Sequence, residues 1–297
     1  MDLIKTFLYF AIFKHPLTKE EAKNFCQYKT DNIDEDLALL VEKKFLYKID
    51  DYYLPYNNDS WIKRRIAGNV LADKKMGKAR RMSKVLSQFP FVRSVMISGS
   101  LAKSYMDETS DIDFFVIMKP GNIAISKTMI GLFRRFFASK SLCVNYMISE
   151  DNLHIKKQNI YTAVEMATLI PTIDSGLFEP FMRENIHWVR SFLPNAIIQE
   201  NSILPMKSGK LKQLGEYLLT SRLANKIDDK LRQIYLKRSG LQLGPNKVKK
   251  GGEQVINKGI LKLHNKSYQS RIMDMYEQYE QNFDSGEELV FNRHFYD

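Results

Sequence analysis

Residues 92–118 constrain this chain more than any other stretch. Two apolar runs, Val92 to Ile97 and Ile112 to Met118, have the length and composition of buried strands. Between them the chain breaks at Gly99-Ser100, crosses a short polar segment and returns at Asp111-Ile112-Asp113. Side chains on a strand alternate faces, so Asp111 and Asp113 project together at the mouth of the second strand. Two carboxylates held that close repel each other unless a cation lies between them. A divalent ion with hard oxygen ligands, Mg²⁺ or Mn²⁺, meets that need and gathers substrate phosphates. Gly99 lets backbone approach a phosphate with no Cβ in the way. Ser100 adds a hydroxyl and an N–H at the start of a short helix, where anions are favoured. Read this way, the stretch is a site for a nucleoside triphosphate; read blandly, it is a solvated acidic turn between two strands.

These residues resemble the signature of the polymerase-beta-like nucleotidyltransferases: an apolar run, Gly-Ser, a variable stretch, then Asp-x-Asp entering a strand. Here Gly99-Ser100 and Asp111-Ile112-Asp113, followed by Phe114-Phe115-Val116-Ile117, carry the resemblance, within residues 90–148. Each part alone is common; their agreement in order and spacing is specific. The resemblance implies metal-dependent transfer of an NMP group from an NTP to a hydroxyl acceptor. It makes Asp111 and Asp113 metal ligands and catalytic residues, with Gly99 and Ser100 on the phosphates. Lys103, in the turn after Gly-Ser, becomes a candidate phosphate contact. A third carboxylate is expected on a later strand, and in Leu142–Ile148 that position falls on Asn145. An amide can ligate a metal or orient a hydroxyl, but it carries no charge and is no base near neutral pH. Glu150 and Asp151 follow just beyond the strand. Asn145 therefore keeps a second reading open: a nucleotide-binding or DNA-associated regulatory protein with an incomplete catalytic set. A defence-related protein that modifies another protein is not separated from the enzyme reading.

The formal charge of +11 and pI of about 9.4 favour anionic partners, so the acceptor is expected to be anionic if anything. Cys26 and Cys143 lie in apolar patterns far apart, as reduced thiols do, which suits a cytoplasmic protein. Apolar runs such as Phe7 to Phe13 are too short to span a bilayer, and no cleavable signal pattern opens the chain.

The expected fold class is α+β: a small mixed sheet with helices on one side, between a winged-helix-like unit (1–56) and a helical C-terminal region (153–297). In the first unit, Leu3 to Ala11, Thr18 onward and Asp31 to Lys44 read as helices, with Thr18 and Glu21 as a capping box. Two strands, 45–49 and 52–54, follow. The third helix opens on Asp31, Asp34, Glu35 and Asp36, which would repel DNA phosphates, so nucleic-acid binding by this unit is not favoured. Similar chains occur among bacterial nucleotidyltransferase-domain proteins.

The core unit (57–152) begins with a long helix over 58–89. Its many Lys and Arg read as a solvated face, and Trp61, Ile66, Val70, Leu71, Met76, Met82, Val85 and Leu86 as its core side. A helix over 123–139 buries Ile125, Met129, Ile130, Phe133, Phe136 and Phe137. Helices over 160–169, ended by Pro171, and over 177–192 carry Tyr161, Glu165, Asn185 and Trp188; the resemblance implies helices that close over base and acceptor, while each of these residues taken singly reads as ordinary packing. Over 207–271 basic residues outnumber acidic ones 16 to 4, which places positive charge near the nucleotide or an anionic acceptor. Leu211, Leu214, Leu218, Leu219, Leu223, Ile227, Leu231 and Tyr235 predict the buried stripe of a helix over 207–238. Residues 240–252 read as a loop without a Walker motif, His264 as structural, and 267–281 as a final helix. The five histidines show no zinc-ligand spacing.

Overall fold

The structure, a computed structural model, describes residues 2–136, 142–200, 203–239, 255–262 and 268–287. The N-terminal segment builds α1 (Leu3–Ala11), β1 (Leu17–Thr18), α2 (Lys19–Asn24), α3 (Ile33–Glu42), β2 (Tyr47–Ile49) and β3 (Tyr52–Leu54). Thr18 caps α2 by accepting from the Glu21 N–H, while Glu21 accepts from the Thr18 N–H. The three short strands form one sheet in the order β1-β3-β2.

Next comes the long helix α4 (Asp59–Ser87), capped by Asn58. Its inward face differs from the expected one. Ile66 and Val70 are exposed, whereas Gly68, Ala72, Ala79 and Ser83 are buried with Trp61 and Leu86. Small residues let the helix approach the following turn closely. A Cβ on Gly68 would lie 2.2 Å from the Tyr105 ring.

The main sheet has seven strands: β4 (Val92–Ser98), β5 (Ile112–Met118), β6 (Leu142–Ser149), β7 (Ile170–Asp174), β8 (Leu204–Pro205), β9 (Val255–Ile256) and β10 (Ile260–Lys262). Their order is β8-β7-β4-β5-β6-β10-β9. Strand β4 runs antiparallel to β5 and β7; β5 and β6 are parallel, joined by α6 (Ile123–Phe136); β10 is antiparallel to β6 and β9. The expected core trio β4, β5 and β6 is present. The C-terminal region is mostly helical but also adds four strands. Pro171 does not simply end a helix: it enters β7 opposite Met96, at a register shift. Proline has no ladder donor and is tolerated at bulges. Thr172, at that shift, donates its hydroxyl to the Val95 carbonyl.

Helices cover both faces of the sheet, not one. Val95, Ile97, Phe114, Val116 and Leu142 pack on the side of α4 and α6. Met96, Phe115, Ile117 and Ile148 pack in a core shared with α1, α7 (Ile160–Ala167), α8 (Phe178–Phe192) and α11 (Tyr268–Ser285). Burial on both faces explains why Ile112 to Met118 is continuously apolar after Asp113. The same alternation puts Asp113 on the face of Phe115, beneath α1, α7 and α11.

The expected helix over 207–238 is two helices, α9 (Lys210–Leu218) and α10 (Arg222–Ser239). Much of its expected buried stripe is exposed, including Leu211, Leu214, Leu218, Leu223 and Ile227. Phe136 of α6 is also exposed. Phe137, the loop over 240–252 and His264 lie outside the described residues. Among the described residues, no helix is long and apolar enough to cross a membrane.

Candidate active site

Strand β4 ends at Ser98, and Gly99 opens the short helix α5 (Gly99–Ala102) with φ at +71°. That left-handed backbone brings the turn down onto β5. A Cβ at Gly99 would lie 2.5 Å from Asp113 Oδ2. Glycine is thus required twice, by torsion and by space. Gly99→Ala is expected to cost about 1–2 kcal/mol through the backbone alone and to push the Asp113 carboxylate aside. Thermal unfolding would read the first effect as a lower Tm, and nucleotide titration would read the second as weaker binding.

Asn145 reaches the same place through a bulge in β6. The register pairs Phe114 with Val144 and then Phe115 with Tyr146, leaving Asn145 as the extra residue. A bulge re-aims the side chains beside it. Val144 stays with the α4–α6 core, while Asn145 joins Tyr146 on the face of Asp113. The Asn145 amide N–H donates to Asp113 Oδ1, and the Cys143 thiol donates to the amide oxygen at 2.7 Å. The ammonium of Lys127 donates to the Val144 carbonyl at the bulge.

These residues open onto a cavity of about 400 Å³. Gly99, Ser100, Lys103, Asp111, Asp113 and Asn145 all line it, so the structure brings every sequence-predicted site residue to one place. Its other walls come from distant parts of the chain: Tyr9, Phe10 and Phe13 around α1; Tyr161 and Glu165 on α7; Tyr268 and Ile272 on α11; Lys262 on β10. The reading of Tyr161, Glu165, Asn185 and Trp188 as packing therefore divides. Asn185 and Trp188 are buried and bonded to each other, whereas Tyr161 and Glu165 face the cavity. Lys103 Nζ donates to Glu165 Oε1 at 2.6 Å and to the Gly99 carbonyl at 3.2 Å. Lys262, from a strand without a sequence signal, lies 5.3 Å from the centre of the Tyr146 ring.

Residues 79–166 match the family model of the nucleotidyltransferase domain. The chain carries a nucleotidyltransferase domain. No curated protein and no solved structure matches the chain. The matched segment runs from the second half of α4 through α7. It holds Gly99, Ser100, Lys103, Asp111, Asp113, Asn145 and Glu165, while the α1, β10 and α11 walls of the cavity lie outside it.

Within the nucleotidyltransferase domain, Asp113 is the electrostatic centre. Burial raises its pKa to about 7, and the like charges of Glu165 and Asp111 push the same way; Lys103 opposes them. The hydrogen bond from Asn145 favours the charged form. A carboxyl whose folded pKa exceeds its unfolded value holds an extra proton in the fold between about pH 4 and pH 7. Stability from this group therefore falls as pH rises through that window. Without added cation, the protein should lose Tm between pH 5 and pH 8, and Asp113→Asn should flatten that loss in a pH series of melting curves.

Asp111 and Asp113 are the two carboxylates in the cavity that could hold a divalent cation. Asp111 is exposed at the cavity mouth and Asp113 is half-buried behind it. Among the described residues no group of three or more His, Cys, Asp or Glu side chains is placed to hold a metal ion, so the protein side of such a site is this pair of carboxylates. Two carboxylates leave coordination positions for water and phosphate, as Mg²⁺ prefers.

Proposed function

We propose that the protein transfers an NMP group from a nucleoside triphosphate to a hydroxyl acceptor. One observation carries this reading: Asp113 sits directly beneath the Gly99 turn with Asp111 beside it, in a nucleotidyltransferase domain. Asp111 and Asp113 would hold Mg²⁺ or Mn²⁺, which would neutralise the phosphates and the departing pyrophosphate. Gly99 and Ser100 receive the outer phosphates through backbone N–H groups and the Ser100 hydroxyl. Asn145 holds the Asp113 carboxylate in orientation through Oδ1. Lys103, now paired with Glu165, turns toward the triphosphate when it enters.

That exchange frees Glu165, and it is the group we assign as base in place of Asn145. The acceptor O–H bond breaks, its proton passing to Glu165. The acceptor oxygen bonds to the α-phosphorus as the bond to the β-phosphate oxygen breaks, and pyrophosphate leaves. The sequence contained this residue as a polar position on a helix, with nothing to aim it at β5.

A regulatory, nucleotide-binding reading also has an observation behind it: Asn145 donates to Asp113 and cannot take a proton there. The two readings part in one experiment. The protein is incubated with each of the four NTPs, labelled at the α-phosphate, with Mg²⁺ or Mn²⁺ and cell extract. Label transfer with pyrophosphate release, lost in Asp111→Ala/Asp113→Ala, supports the enzyme. Metal-dependent NTP binding without release supports the regulator.

A further inference from the structure

Helix α9 is folded inside out. Two of its charged side chains, Lys212 and Glu216, face the protein: Lys212 is buried and donates to the Ser87 and Val92 carbonyls at 2.9 and 2.7 Å. Glu216 accepts from the Phe91 N–H and pairs with Arg93. Gly215 seats the helix so closely that a Cβ would lie 2.8 Å from the Pro90 ring. Its leucines face outward instead, with Leu211 85% and Tyr217 79% exposed, beside Leu214 and Leu218. At 3.6 residues per turn these four share one arc of the helix.

Helix α10 turns Ala224, Leu231, Tyr235 and Leu236 inward but also carries an exposed apolar stripe. Leu223, Ile227 and Ile234 are exposed and fall on one narrow stripe. Arg222, Lys226, Lys230, Lys237 and Arg238 are exposed around it, and Lys207 and Lys210 flank α9. Every exposed charged residue between 207 and 238 is basic. Of the three acids there, Glu216 is bound to Arg93, Asp228 is buried against the Ile125 N–H, and Asp229 pairs with Arg232.

We propose that α9 and α10 form a surface that docks onto an anionic lipid bilayer. Three features select that occupant. Protruding leucines disfavour nucleic acid, which needs cations and stacking surfaces rather than aliphatic ridges. The cations disfavour a second copy, because pairing two such faces would set Lys and Arg against Lys and Arg. Leu211, Leu214 and Leu218 are each more than half exposed, and a bilayer interface accepts projecting leucines with lysines at headgroup level.

Full-length protein would be sedimented with vesicles of phosphatidylcholine mixed with phosphatidylglycerol, and with phosphatidylcholine alone. Binding to the anionic vesicles only, weakened by salt, is expected. Leu211→Gln/Leu214→Gln/Leu218→Gln should weaken it at least about tenfold, and Lys226→Glu/Lys230→Glu by a similar factor. All five positions are solvent-exposed, so the fold should survive, as a melting curve would verify. Absence of vesicle binding at low salt overturns the proposal. So does binding that the leucine variant leaves unchanged, which would reflect bulk positive charge. A dimer seen by light scattering and lost in the leucine variant would assign the face to a second copy, and would overturn it too.

Discussion

Asp113→Asn should abolish nucleotidyl transfer, lowering kcat/KM by roughly 10³-fold or more. The substitution keeps the shape of the side chain, and the new amide can still accept from the Asn145 N–H. What disappears is the negative charge that burial, Glu165 and Asp111 already make costly to hold. The isolated fold should therefore be no less stable above pH 7, while affinity for Mg²⁺ with NTP falls. Loss of transfer together with an unchanged or higher Tm would place the defect in charge, not in folding. A variant that keeps more than a tenth of wild-type turnover would remove Asp113 from the proposed cation site.

Glu165→Gln should lower kcat by about 10²- to 10³-fold and leave the KM for NTP nearly unchanged. Glutamine can still accept from Lys103, so the geometry of the pair survives while the ability to take a proton is lost. Asn145→Asp, made in the same chain, should restore part of the activity by returning an acid to β6. A purely structural role for Glu165 would show no such rescue. Full activity in Glu165→Gln would instead send the acceptor proton to solvent or to another group.

How much of this site was legible depends on how far apart its parts lie. Gly99, Ser100, Asp111 and Asp113 sit within one strand–turn–strand unit, and local rules for strands, turns and alternation bring them together. Asn145 was placed by its position in an apolar strand, but its direction depends on the bulge between Val144 and Tyr146, which has no local signature. Glu165, Tyr9, Phe10, Lys262 and Ile272 come from segments whose own patterns describe a helix or a short strand and nothing of what it faces. Strands β7 to β10 are two to five residues long, too short for a period of two to stand out, and one of them contains Pro171.

By itself, the sequence determined what adjacent residues can settle: the capping box at Thr18 and Glu21, the strands on either side of Gly99-Ser100, and the carboxylate pair entering β5. The tertiary structure decided which faces meet. A hydrophobic period says that one side of a helix is apolar, and packing decides whether that side turns inward. In α4 the inward side went to Gly68, where the Tyr105 ring leaves no room for a Cβ, and to Ala72 and Ala79, which pack into the core beneath the sheet. In α9 it went to Lys212 and Glu216, because the backbone groups of Ser87, Phe91 and Val92 needed polar partners there.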